Sequence, residues 1–269
     1  MAQIAWDVVS LLGTIGLALL GLAVARRVLP RQSLRRQTDV VSAVYAALGV
    51  VYGVILGGVV VAAWNDYQAA EAATEAESAA LVNLLRLSYP FPASAQTQVR
   101  DAVVAYADAV IHDEWPAMED GHPPAPSAVA AAENLYRLYG NLGLGPVGRI
   151  PTYDAALSGL DDLDDARGAR LLASAQGLPV GFWLVLDIGG AVVVGFAYLF
   201  AVEDRTTHAV LVVALTTTIV LFLILVRGLS QPFAEPLQIG TRGYTRVYDL
   251  AAVMRSPSPS PAPAATPMP

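Results

Sequence analysis

The chain has 269 residues, of which 55% are hydrophobic and only 14% charged, and its mean hydropathy is +0.51. That balance excludes both an ordinary soluble domain and a disordered chain, and it points to a membrane protein. A net charge of −7 argues against nucleic acid, whose phosphate backbone demands a basic face, and the absence of cysteine removes disulfides, thiolate chemistry and zinc–thiolate sites.

Residues 4–25 form the first apolar segment, followed by Arg26, Arg27, Arg31, Arg35 and Arg36. Ala23-Val24-Ala25 has the small-x-small form of a signal-peptide cleavage site. Against that reading, the leading residues carry Asp7 and no arginine, the run is too long, and two arginines follow at once. Residues 1–39 are therefore read as a first transmembrane helix and an arginine-rich link. Arginines in a short link favour the cytoplasmic side, which places the N-terminus and the large insertion outside.

Residues 40–87 read as one unbroken helix. No charge or proline occurs over 40–63, and at 1.5 Å rise per residue about 20 such residues cross the hydrocarbon core. Trp64, Asn65, Asp66 and Tyr67 then mark an interface, so the second transmembrane helix is placed at 40–67. Gly49, Gly53 and Gly57 recur every four residues and define a face for close helix packing or for lining a pore. Tyr45, Gly49, Tyr52 and Leu56 form an adjacent stripe. Without proline or glycine between Val59 and Leu87 the helix has no evident hinge, so it should continue into the soluble region.

Residues 68–179 read as a soluble helical domain inserted between spans two and three. The rod ends before Pro90-Phe91-Pro92, and a second helix runs over 95–114, with Val99, Val103, Tyr106 and Val110 at helical spacing and Trp115-Pro116 closing it. Gly121, Pro123, Pro124 and Pro126 mark a loop. Ser127 is the predicted N-cap of a third helix through Leu142, with Leu135, Leu138 and Leu142 as its apolar stripe. A glycine-rich linker over 143–151 leads to a fourth helix, capped by Thr152 and stopped at Gly177 ahead of Pro179. Spans three and four occupy 180–202 and 209–226 within a segment 180–227, and the short link at 203–207 makes them antiparallel neighbours. Residues 228–255 form a juxtamembrane segment, and 256–269 a disordered or polyproline-like tail. The expected fold is all-α: four transmembrane helices with a helical soluble insertion.

Several of these residues together resemble a known family. Tyr52-Gly53 with Trp64, Tyr67 and the stretch Glu71 to Glu77, then Tyr106 with Glu114-Trp115-Pro116, Arg167 with Arg170-Leu171, Trp183 with Gly189-Gly190, and Pro232-Phe233 are similar to the bacterial bestrophin-like family. The resemblance covers roughly residues 40–240, and Glu235 departs from the glycine expected two residues after Phe233. It implies kinship with anion channels that assemble as rings of four-span subunits. It also implies a cytoplasmic soluble domain, opposite to the reading from the arginine-rich link.

Candidate sites follow from charge and position. Asp187 is the one carboxylate well inside a predicted span, where an ionisable group marks either function or, beside Trp183, headgroup depth. Glu71 and Glu75 lie four apart on one helix face and repel, so each needs a partner, and Arg86, Arg167 or Arg170 are the candidates for an ion pair. Asp161, Asp162, Asp164 and Asp165 read as a solvated face, lacking calcium-loop spacing and its glycine. His112, His122 and His208 are scattered without metal spacing or a nucleophile pattern. No catalytic, cofactor or metal site is expected. The lipid bilayer, small ions and further copies of the chain are the expected partners of a multi-pass plasma-membrane protein. Two functional classes remain: a channel-like oligomer, and a membrane-anchored interaction or sensory module with an acidic helical domain.

Overall fold

The computed structural model describes residues 2–28, 38–122, 124–200 and 202–255. Arg31, Arg35 and Arg36 of the first link, Pro123 of the loop and the tail at 256–269 lie outside the described residues. Every regular element among the described residues is helical. Four helices among them are long and apolar enough to cross a membrane: Ala5–Val28, Val40–Leu87, Val180–Ala197 and Arg205–Leu229. The chain forms two compact units, the first being Met1–Glu71 with Leu172–Ile239, and the second Ala72–Leu171 with the chain from Gly240 on.

The first unit holds α1 (Ala2–Val28), the beginning of α2 (Thr38–Leu87), α7 (Val180–Ala197) and α8 (Arg205–Leu229). Its core joins Leu22, Tyr52, Leu56, Val59, Leu186, Val193, Val212, Ile219 and Val226. Tyr52 shows how α2 packs. Its ring lies on the backbone of α7 at two glycines, where a Cβ on Gly189 would stand 2.7 Å from the ring and one on Gly190 3.1 Å from the hydroxyl. The hydroxyl donates to the Leu186 carbonyl at 3.2 Å, so the polar tip of a buried tyrosine is satisfied. Gly21 similarly admits the ring of Tyr198, 2.9 Å from where its Cβ would sit. At the start of α8, Asp204 caps the helix by accepting from the backbone amides of Thr206 at 3.3 Å and Thr207 at 2.7 Å.

The glycines singled out in α2 behave differently. Nothing in the described chain lies within 4 Å of a Cβ built on Gly49, Gly53 or Gly57. The side of α2 that packs within the chain is instead that of Tyr52, Leu56, Val59 and Ala63, all buried. Tyr45 meets Phe200 edge-on, with ring centroids 5.1 Å apart.

The second unit contains the rest of α2, then α3 (Ala93–Ala109), a single π-helical turn (Val110–Glu114), α4 (Trp115–Glu119), α5 (Pro126–Gly143), a 3₁₀ turn (Pro146–Arg149), α6 (Thr152–Ala175) up to Leu171, and α9 (Arg242–Arg255). Trp115-Pro116 does not end the second soluble helix. Proline is accommodated in the first turn of α4, where its missing N–H is not needed. The π turn keeps a four-residue spacing in line over three successive steps. Tyr106, Val110, Glu114 and Met118 are four apart and all buried. In a continuous α-helix such residues drift round the axis by about 40° per step, whereas one wider turn keeps them on the inner face.

Other expectations shift for local reasons. The predicted cap Ser127 lies inside α5, whose first residue is Pro126, and its hydroxyl donates to Asp113 Oδ2 at 2.6 Å. The juxtamembrane segment at 228–255 is open to two placements, along the membrane or against the soluble helices, and it ends in α9, which belongs to the second unit and so takes the second. Gly243 permits that placement, because a Cβ there would stand 2.7 Å from Ser78 Oγ on α2.

Gly189→Leu should remove the seat of Tyr52 and lower stability by about 1 to 3 kcal/mol, the usual penalty of overpacking. Gly53→Leu faces open space in the single chain and should leave its fold intact. Thermal unfolding of the two variants in detergent checks the contrast.

Candidate functional site

Two places carry polar groups that the fold must account for, one in each unit. In the first unit, His208 at the start of α8 is buried, accepting from Arg26 at Nδ1 over 2.9 Å while Nε2 donates to the Ala197 carbonyl, also over 2.9 Å. An arginine has only donors, so these partners fix a neutral imidazole protonated at Nε2. Asp187 on α7 is exposed in the single chain and makes no hydrogen bond or ion pair among the described residues.

In the second unit, four charged side chains meet out of water. Arg170 is fully buried, with Nε on Glu77 Oε2 at 2.5 Å and Nη2 reaching Glu77 Oε1 at 3.1 Å and Glu114 Oε2 at 2.6 Å. Arg167 Nη2 donates to Glu114 Oε1 at 2.6 Å, and its Nη1 to the Tyr106 hydroxyl at 3.2 Å and the Ala128 carbonyl at 3.3 Å. Tyr106 in turn donates to Glu77 Oε1 at 2.7 Å. Arg170 also lies over the Trp115 ring, 5.5 Å from its centroid, with Tyr244 edge-on to that ring at 6.0 Å.

The geometry follows from the helices. Arg167 and Arg170 are three apart on α6 and share one face, Glu77 comes from α2, and the π turn brings Glu114 inward. Two positive and two negative groups balance, and the forked guanidinium of Arg170 satisfies both carboxylates at once. Burial alone would lower the Arg170 pKa, but Glu77 and Glu114 outweigh it and hold the group charged. Burial, reinforced by the Glu77 carboxylate, pushes the phenols of Tyr106 and Tyr244 well above the ordinary tyrosine value. Every group here is enclosed by protein, so the arrangement clamps helices together and offers nothing to a substrate.

Arg167 and Arg170 are thus ion-paired, but with Glu77 and Glu114 rather than with Glu71 or Glu75. The interior position of Glu77 and Glu114 decides this, since buried guanidiniums need buried carboxylates. Glu75 pairs instead with Arg246 on α9, both about half exposed. Glu71 and Arg86 are exposed. Sequence reasoning missed Glu77, which stood in plain view at the end of the Glu71 to Glu77 stretch. Its distinguishing signal was a four-residue repeat with Leu81 and Leu85 on the buried side of α2. Among the described residues no group of three or more histidine, aspartate or glutamate side chains is placed to hold a metal ion.

Four apolar spanning helices, one of them running on into a helical body, define a multi-span α-helical membrane protein. The chain belongs to the bestrophin-like family, whose model matches residues 12–244 under the description bestrophin-like domain. Its fold is that of solved bacterial bestrophin homologues. A point variant of the homologue from Klebsiella pneumoniae superposes with a TM-score of 0.72 at 14% identity, covering 91% of this chain and 98% of that one. The same homologue solved by zinc phasing gives 0.69 at 15% identity, with 90% and 98% covered. A structure described only as a variant membrane protein gives 0.71 at 15% identity, with 92% and 99% covered. No curated protein matches the chain.

Removing one member of the clamp strands the others. Arg170→Met should cost about 3 to 5 kcal/mol because buried Glu77 loses its guanidinium and Glu114 one of its two, whereas Glu75→Gln at the half-exposed pair should cost about 1 kcal/mol or less. Chemical denaturation of the two variants separates these outcomes. The raised phenols predict a pH dependence. A folded-state pKa above the unfolded value near 10 means the contribution is complete below pH 10 and fades as pH rises through the folded value. Stability should therefore fall with alkali above about pH 10, and Tyr106→Phe should flatten that fall in denaturation midpoints measured across the range.

Proposed function

We propose that this protein is one subunit of an oligomeric ion channel of the plasma membrane, with small anions as the conducted species. The observation that carries the reading is the face of α2 at Gly49, Gly53 and Gly57, which has no neighbour in its own chain within 4 Å of a built Cβ. Around it Val50, Val54 and Val61 are each at least 60% exposed, so a long strip of spanning helix lacks an intrachain partner. Glycines let another backbone approach or leave an aqueous axis open. Residues 40–63 carry no carboxylate, so nothing along that stretch repels an anion. Family membership supports the same reading. In this proposal the spanning helices form the conducting part, and the clamp of Glu77, Glu114, Arg167 and Arg170 keeps the helical body of each subunit rigid.

Native mass spectrometry in detergent and planar-bilayer recording in asymmetric chloride provide the test. The expected result is an oligomeric mass and a current that reverses near the chloride equilibrium potential. Gly53→Trp should abolish the current while a single chain still folds. A monomeric, non-conducting protein would overturn the channel and leave a membrane-anchored interaction module, with the exposed acid row at Asp161, Asp162, Asp164 and Asp165 as its binding face.

A further inference from the structure

A cavity of ≈ 920 Å³ lies within the first unit, walled by α1, α7 and α8. Its size falls within the range of ligand pockets, roughly 300 to 1,000 Å³. The wall is apolar along most of its length, through Leu17, Ala18, Val194, Ile219, Val220 and Leu223. Charged groups gather at one end, while Thr14 and Thr216 interrupt the apolar wall farther along. Asp7 stands near the start of α1, Asp187 in the first half of α7 and Arg227 in the last turn of α8, and all three line the same cavity. The chain direction explains the meeting. Arg26 at the end of α1 bonds His208 at the start of α8, so the two helices run antiparallel and the start of α1 lies by the end of α8.

None of these three charged side chains makes a hydrogen bond or ion pair among the described residues, and Asp187 and Arg227 are exposed within the single chain. An unpaired charge on a spanning helix is costly and calls for a partner. Trp6 and Trp183 line the same end of the cavity, and tryptophan collects at headgroup level. The charged end is therefore at the depth of lipid headgroups, with an apolar trough leading from it toward the membrane interior.

We propose that this cavity is a binding site for a phospholipid whose headgroup carries a primary ammonium, as in phosphatidylethanolamine. Asp7 and Asp187 accept from the ammonium, Arg227 pairs with the phosphate, and an acyl chain lies along the apolar wall. The charge pattern selects among lipids. An anionic headgroup without an amine meets two carboxylates and one guanidinium, and a choline headgroup has no N–H to donate to the carboxylates. The site does not depend on ion conduction, so it stands or falls separately from the channel.

Purified full-length protein, stripped of lipid and then exposed in mixed micelles to phosphatidylethanolamine, phosphatidylcholine or phosphatidylglycerol of one acyl composition, is read by native mass spectrometry. The expected result is one retained ethanolamine lipid per chain, preferred about tenfold over the choline lipid, the scale of one charge-assisted hydrogen bond. Asp7→Asn with Asp187→Asn should erase that preference, and Ala191→Phe, projecting into the cavity, should reduce retention of every lipid. Equal retention of all three lipids by the unmodified protein, or an unchanged preference in the double asparagine variant, overturns the proposal. So does a loss of oligomer mass in Ala191→Phe, which would show that a neighbouring copy fills the cavity. If Ala191→Phe does not fold, the asparagine pair decides alone, since both substitutions keep side-chain volume.

Discussion

Four charged side chains buried together impose the main constraint on the helical body. Taking Glu77, Glu114, Arg167 and Arg170 out of water is expensive, and that expense is offset only if all four are in place with their hydrogen bonds made. The requirement couples parts of the chain far apart in sequence. α2 must present Glu77, the chain after α3 must widen by a π turn so that Glu114 points inward, and α6 must turn both arginines to the same side. Tyr106 and the Ala128 carbonyl then fill the remaining donor and acceptor positions. Such a cluster stabilises one arrangement strongly against near alternatives, because any helix rotated by one residue leaves a charge stranded.

The membrane-spanning unit is held by a different kind of contact. There the central device is shape: two adjacent glycines on α7 receive the ring of Tyr52, and Gly21 on α1 receives Tyr198. Small residues allow this closeness where there is no hydrophobic gain from moving between lipid and protein. Two kinds of ionisable group occur in the spans. His208 is satisfied by Arg26 and the Ala197 carbonyl, whereas Asp7, Asp187 and Arg227 line one end of a cavity. The satisfied group reads as structure, and the three at the cavity mouth as recognition.

Much of this was legible in the sequence. Apolar runs without proline and nearly without charge determined the spanning helices, because the bilayer demands length and internal backbone hydrogen bonding and little else. The continuity of α2 from Thr38 to Leu87 followed from the absence of any breaker. The arginines at 167 and 170 were visible as a pair on one helical face. What could not be read was which carboxylates they meet, because Glu71, Glu75 and Glu77 lie on one short stretch and only the register of Glu77 with Leu81 and Leu85 marks the last as facing inward. Pro116 misled for a related reason: a proline closes a helix or opens one depending on the turn before it, and the π turn at Val110–Glu114 has no mark in the local sequence.

The glycines of α2 show where the division falls. Their four-residue spacing was enough to define a face, since helix geometry alone puts such residues in line. Whether that face is covered by the same chain depends on where Tyr52 and Leu56 turn, and those side chains, on the adjacent stripe, join the core that α7 and α8 share. The sequence by itself determined the helices, their lengths and their membrane character, which are local properties of composition and period. Only the tertiary structure decided which charges pair, which glycines are in contact and which charged residues share a cavity, because each of those is a meeting of residues more than thirty positions apart, and periodicity carries no information about such meetings.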